Sequence, residues 1–286
     1  EASAFAGVGK AGDSVVLGNN AKSEGTESIV IGNGTTNTGR WSVTLGDQAT
    51  GNSQYGVTIG ERASSGKGSN SVVIGLMAKT SNEKKGGNSQ TAVGAASYAD
   101  GEGASAFGAN ANATGSTATA IGLATKAIAQ SASAFGDSAS ASAWGATALG
   151  VGASAKADNS IAVGSAAATE ARVSTALGRR SYAGAQSATA LGTLANASAI
   201  VSTAVGNGAK ASAFQASALG NSAEASGESS IALGTESRAS GSDALASGSN
   251  ANASSMNAVA VGKDSNSSAV NDIALGTSSN VSAISA

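Results

Sequence analysis

The hydrophobic pattern of this chain returns at a fixed interval. In Asn159-Ser-Ile-Ala-Val-Gly164 a short apolar run ends in glycine, and fourteen residues later, at Gly178, the same figure recurs. Taking that glycine as an anchor, nineteen copies run from Gly18 to Gly276, and from Gly94 onward the spacing is fourteen without a slip. Two earlier steps are longer. Gly60 to Gly75 is fifteen and Gly75 to Gly94 is nineteen, the latter carrying the polar stretch Ser81-Asn-Glu-Lys-Lys-Gly-Gly87. A short fixed period predicts a solenoid, in which such an insertion leaves the stack as an outward loop.

The columns of the repeat predict its strands. The residue before the anchor is Leu, Ile, Val or Phe in 18 of 19 copies, Ser247 being the exception, and the residue three before it is Val, Ile, Leu, Thr or Ser. Strand side chains alternate, so these two share a face and the residue between them takes the other. That middle position is Val16, Val30, Thr44, Thr58 and Val73, then alanine in every copy from Ala92 to Ala274. It never carries a charge. A strand apolar on both faces is buried on both, so one face is expected to meet its own coil and the other a second chain. The middle column is the expected place of self-association, with Val30, Val73, Ala176 and Ala190 as packing residues.

The other half of the repeat is thinner. Positions three and five after the anchor are small, as in Ala139 and Ala141 or Ala195 and Ala197. Between them stand Lys22, Lys79, Tyr98, Lys126, Tyr182, Lys210, Glu224 and Arg238. Small-in and polar-out alternation predicts a half-exposed strand. Each coil therefore has two short strands and two turns, and parallel stacking satisfies its backbone groups from its neighbours. The anchor glycines are expected to supply positive φ at a corner. The fold class is all-β, a parallel β-roll of 14-residue coils. Residues 1–286 read as one repetitive domain, with regular coils from about residue 14 and the insertion at 81–87.

Composition narrows the chemistry. The 286 residues include nine aromatics and no proline, so burial must come from many small contacts. With no cysteine and no histidine, disulfides, Cys/His metal sites, a histidine base and a cysteine nucleophile are all excluded. A net charge of −2 gives no basic footprint for nucleic acid. Asp residues share no column, so no metal or other cofactor is expected. Ser and Thr are abundant but no base accompanies them, and the chain is expected not to be an enzyme. Asn-Ala-Ser/Thr at Asn112, Asn196 and Asn252 matches a glycosylation acceptor through the repeat's own polar columns.

The motif Asn159-Ser-Ile-Ala-Val-Gly164, echoed by Ser230-Ile-Ala-Leu-Gly234 and Asp272-Ile-Ala-Leu-Gly276, resembles the repeat of YadA-like heads in trimeric autotransporter adhesins. The resemblance spans residues 14–286. It implies left-handed winding, a homotrimer, and display on a bacterial cell surface. It further implies anchorage in the outer membrane through a C-terminal domain that this segment lacks. The implied partners are collagen, fibronectin or laminin of the extracellular matrix, or the host cell surface. The membrane is reached only through that absent anchor. On this chain, the outward column with Lys126, Lys210, Arg238, Tyr98 and Tyr182 is the expected ligand-binding surface. Two other readings stay open. One is an ice-binding solenoid, from the threonine column at Thr91, Thr119, Thr147, Thr175, Thr189 and Thr203; the other is a structural spacer.

Overall fold

The computed structural model describes residues 8–9, 14–81 and 88–282. Among them there is no helix, and nineteen three-residue strands alternate with two-residue strands in a parallel β-solenoid. One coil shows how the repeat folds. Ile161–Val163 forms the first strand and Ala168–Thr169 the second. Each pairs in parallel with the strand fourteen residues on, Ala162 against Ala176 and Ala168 against Tyr182. The Ile161 N–H donates to the Ser174 carbonyl at 2.9 Å and the Gly164 N–H to the Leu149 carbonyl at 2.8 Å. The coil's backbone is thus satisfied by the coils on either side, as burial requires.

Two turns close each coil. The Ala167 N–H donates to Gly164 at 3.1 Å and the Ser160 N–H donates to Ala157 at 3.2 Å. In each turn the third residue is left-handed, Ala166 at φ 55° and Asn159 at φ 54°. The anchor glycine has a separate reason to be glycine. Gly164 lies at φ +130°, and a Cβ there would meet the Gly178 carbonyl oxygen at 2.4 Å. The corner is closed by the next anchor's backbone, which cannot give way.

The interior of this coil is built only of small side chains. Ser160, Ala162, Ala167 and Thr169, two from each half of the coil, are fully buried. Their hydroxyls are consumed locally: Thr169 Oγ1 donates to Ser160 Oγ at 3.0 Å, and Ser160 Oγ to the Ala157 carbonyl at 2.6 Å. The large side chains of the first strand point the other way. Ile161 is 42% exposed and Leu177 47% exposed.

This reverses the expected use of the two faces. Val30, Val73, Ala176 and Ala190 are each 0% exposed in the single chain, inside their own coil. They cannot pack against a neighbour. The reason is space: two strands of three and two residues, joined by tight turns, enclose room for methyl and hydroxyl groups but not for stacked leucines. The columns before and three before the anchor are therefore the outward ones. The small-in, polar-out reading of the second strand holds, with Ala139, Ala141, Ala195 and Ala197 all buried.

The coils form two compact units, Glu1–Gly145 and Ala146–Ala286. The first uses some larger inward groups. Asn37 is buried there, donating to the Gly39 carbonyl at 2.8 Å and accepting from Ser42 Oγ at 2.9 Å and Thr44 Oγ1 at 3.2 Å. Both departures from the period lie in this unit, in the turn that precedes a first strand: between Ser64–Ser65 and Val72–Ile74, and between Lys79–Thr80 and Thr91–Val93. Of the insertion, residues 82–87 lie outside the described residues. The second unit keeps the period throughout and is lined by alanine with interspersed serine and threonine.

The two kinds of turn glycine predict different costs. Gly152 is left-handed at φ +64° with nothing within 4 Å of a Cβ, so Gly152→Ala should cost about 1–2 kcal/mol. Gly164→Ala adds a backbone clash to a conformation nearly restricted to glycine and should cost roughly 2–5 kcal/mol. Denaturant unfolding of the two variants measures this, and equal losses would contradict the packing described.

Candidate functional site

Each coil offers three kinds of outer surface: the first-strand face, the second-strand face and the two turn rims. The first-strand face carries no charged residue in any copy. It exposes Leu17, Ile31, Ile74, Phe107, Leu149, Leu177 and Leu233, among others. An apolar surface of this extent marks an interaction site.

The second-strand face holds the residues expected to bind ligand. Lys126, Lys210 and Arg238 are exposed there, and Tyr98 and Tyr182 are half-buried in the same column. The register shows what stands beside each. Lys126 lies between Asn112 and Ser140. In the second unit Glu224 pairs with Lys210 on one side and with Arg238 on the other. A carboxylate thus interrupts the cationic row, as its place in the column implies. Asn252, Asn266 and Asn280 continue the row as a ladder, with amide donations of 2.7 and 2.8 Å.

A polar network spans three coils of this face. Lys156 Nζ lies 3.1 Å from Glu170 Oε1, and the Tyr182 hydroxyl donates to Glu170 Oε2 at 3.1 Å. The bonds from Lys156 and Tyr182, with the Lys156 charge, hold the Glu170 carboxyl below its ordinary value. Burial, and then the bond to Glu170, push the Tyr182 phenol up. Exposed pairs of this kind contribute little to stability; they fix side-chain orientation along the row.

The rims carry the bulkier turn residues. Trp41 and Tyr55 stack with ring centres 5.0 Å apart and planes 5° apart. The Arg40 guanidinium sits 4.6 Å from the Trp41 ring centre, and the Trp41 indole N–H donates to the Glu27 carboxylate. Trp144, Ile200, Phe214 and Met256 occupy the corresponding turn in other coils, each 44–51% exposed. On the opposite rim, just after the anchors, charges come in opposite pairs: Glu61 with Arg62 at 3.8 Å and Lys263 with Asp264 at 3.9 Å. Asp47, Asp137 and Glu236 stand singly there, and Arg179-Arg180 is the one pair of like charge. Among the described residues no three His, Cys, Asp or Glu side chains cluster as a metal site would require.

The comparisons with known proteins agree with this geometry. The family model described as the YadA head domain repeat (2 copies) matches residues 10–35, 91–111, 99–125, 145–167, 174–195, 183–209, 211–237 and 239–265. The matches together span more than half of the chain, so the chain belongs to the YadA head domain repeat family. That family implies an adhesin-like head of a trimeric autotransporter. No curated protein sequence matches the chain.

Sequence reasoning named the second-strand column correctly as outward but missed the outward first-strand face and the lone arginine pair. The pair was visible as the one anchor followed by two charges of the same sign.

The Glu170 network gives a pH prediction with a definite sign. Its contribution is present above the ordinary glutamate value and lost as pH falls through the lowered Glu170 value. On the alkaline side it is present below the ordinary tyrosine value and lost as pH rises through the raised Tyr182 value. In an NMR titration Glu170 should protonate below the ordinary glutamate value, and Lys156→Ala should move its midpoint up. An unmoved midpoint in that variant would contradict the assignment of cause.

Proposed function

We propose that this chain is the head of a bacterial surface adhesin, a single repetitive domain over residues 1–286, which attaches to host extracellular matrix or cell surface by many weak contacts. The observation that carries the reading is the repeat itself: the same outward columns return from coil to coil. Repeated presentation lets weak contacts sum to avidity. Collagen, fibronectin, laminin or a host cell surface are the partners of this proposal. Lys126, Lys210, Arg238, Tyr98 and Tyr182 form part of the outward surface that meets them.

The same reading includes a homotrimer. The support is physical: an apolar, charge-free face is repeated on every coil and lies open in the single chain. Chains that meet through it remove that surface from water at roughly 25 cal/mol per Å². The number of chains follows the family. Display on the bacterial cell surface belongs to the same proposal.

Two substitutions in neighbouring rows separate interface from interior. Leu177→Glu with Leu191→Glu alters outward positions and should dissociate the assembly while circular dichroism still reports β structure. Ala176→Glu places a charge inside the coil and should unfold the chain instead. Sedimentation velocity reads the first, and an intact assembly in the Leu177/Leu191 variant would refute the proposed interface.

Adhesion itself is tested on immobilised collagen, fibronectin and laminin and on host cells. The native segment should bind at least one of them. Lys126→Ser, Lys210→Ser or Arg238→Ser alone should leave most binding, and the triple change should remove much of it. Binding to none of these surfaces would favour the spacer reading, and abolition by any single change would replace distributed contacts with one discrete site.

A further inference from the structure

We propose that the turn at Arg179-Arg180 is a docking point for a sulfated polysaccharide. The inference deepens the adhesin reading and rests on it for the number of copies presented. Its origin is a contrast within the molecule. At this same turn position, Glu61-Arg62 and Lys263-Asp264 neutralise themselves as ion pairs. After Gly178 the chain places two consecutive arginines, both exposed.

Nothing nearby compensates them. Neither side chain has an ion-pair or hydrogen-bond partner among the described residues. The rows on either side of the same rim, Ser165-Ala166 and Thr193-Leu194, are uncharged. The acids of the neighbouring coils are already engaged, Glu170 by Lys156 and Tyr182 and Asp158 by Arg172 at 3.7 Å. Two cations without a counter-ion on an uncharged rim form a local positive site on a chain whose net charge is −2.

The chemistry of that site selects its ligand. Guanidinium groups bind planar or tetrahedral oxyanions through paired N–H donors. Two exposed adjacent forks suit a flexible chain carrying several sulfates better than one enclosed small anion. Identical chains in the proposed assembly would each present one pair, so a single polysaccharide could engage more than one.

The test is retention of the purified, assembled protein on immobilised heparin at physiological salt. The variant is R179N/R180S, which reproduces the Asn221-Ser222 found at the same turn in another coil and therefore keeps the fold. The native protein should be retained, the variant should flow through, and K67S/K263S, which removes two exposed cations outside the second-strand column, should behave as native. Selectively desulfated heparin should fail to compete, and single-stranded DNA should compete poorly. Absence of native retention, unchanged retention of R179N/R180S, or equal competition by desulfated heparin or DNA would each overturn the proposal. Cell and matrix adhesion measured on the same variant separates the two claims: adhesion that survives the loss of heparin retention leaves the adhesin reading standing, and absent adhesion with intact retention overturns only that reading.

Discussion

The narrowness of the coil interior governs this structure. A first strand of three residues and a second of two face each other across a space that holds methyl and hydroxyl groups. Inward positions are therefore mostly Ala, Ser or Thr, with Val30, Val73, Asn37 and Gln90 the larger groups of the first unit, and the Leu, Ile and Phe of the repeat turn outward. Stacking in register follows from the same limit, because an inward alanine fits only against the small residue fourteen positions away. Corner glycines complete the scheme, since the backbone of one anchor closes on the Cβ position of the one before it, as Gly178 does on Gly164.

Much of this was legible in the sequence. The unbroken spacing from Gly94 to Gly276 identified the solenoid, and the alternation around Lys126 or Lys210 placed the second strand with its correct side out. The first strand was misread because both of its faces are uncharged, and the larger residues are ordinarily the buried ones. A sharper inference was available. Ala139 and Ala141 were already known to be inward and small, so the column facing them across the coil had to be small as well, which selects Ala134 and not Phe135. The partners of each outward charge were less visible. Tyr182 donates to Glu170, twelve residues away and in a different column, a pairing that the fourteen-residue spacing does not show.

The outer surface divides by chemistry in a way that suits a head built for attachment. One strand face is apolar and free of charge, the other is mixed and polar, and the turn rims carry aromatic and charged exceptions such as Trp41 with Tyr55 and Arg179 with Arg180. Interior requirements repeat without change, whereas the rims tolerate extra residues and bulky ones, because nothing inside the coil depends on them. Variation there costs little stability, so specificity can be altered at the rims while the inward columns keep the fold.

The central claim is that the outward first-strand face, and not the alanine column behind it, is where chains meet. The chain has no cysteine, so single spin labels can be placed at Leu191→Cys on that face or at Asn196→Cys on the opposite strand of the same coil. Pulsed electron paramagnetic resonance then reads the distance between labels on different chains. The account predicts a shorter interchain distance for the Leu191 label than for the Asn196 label. A shorter distance for the Asn196 label, or no interchain coupling at either position, would contradict it.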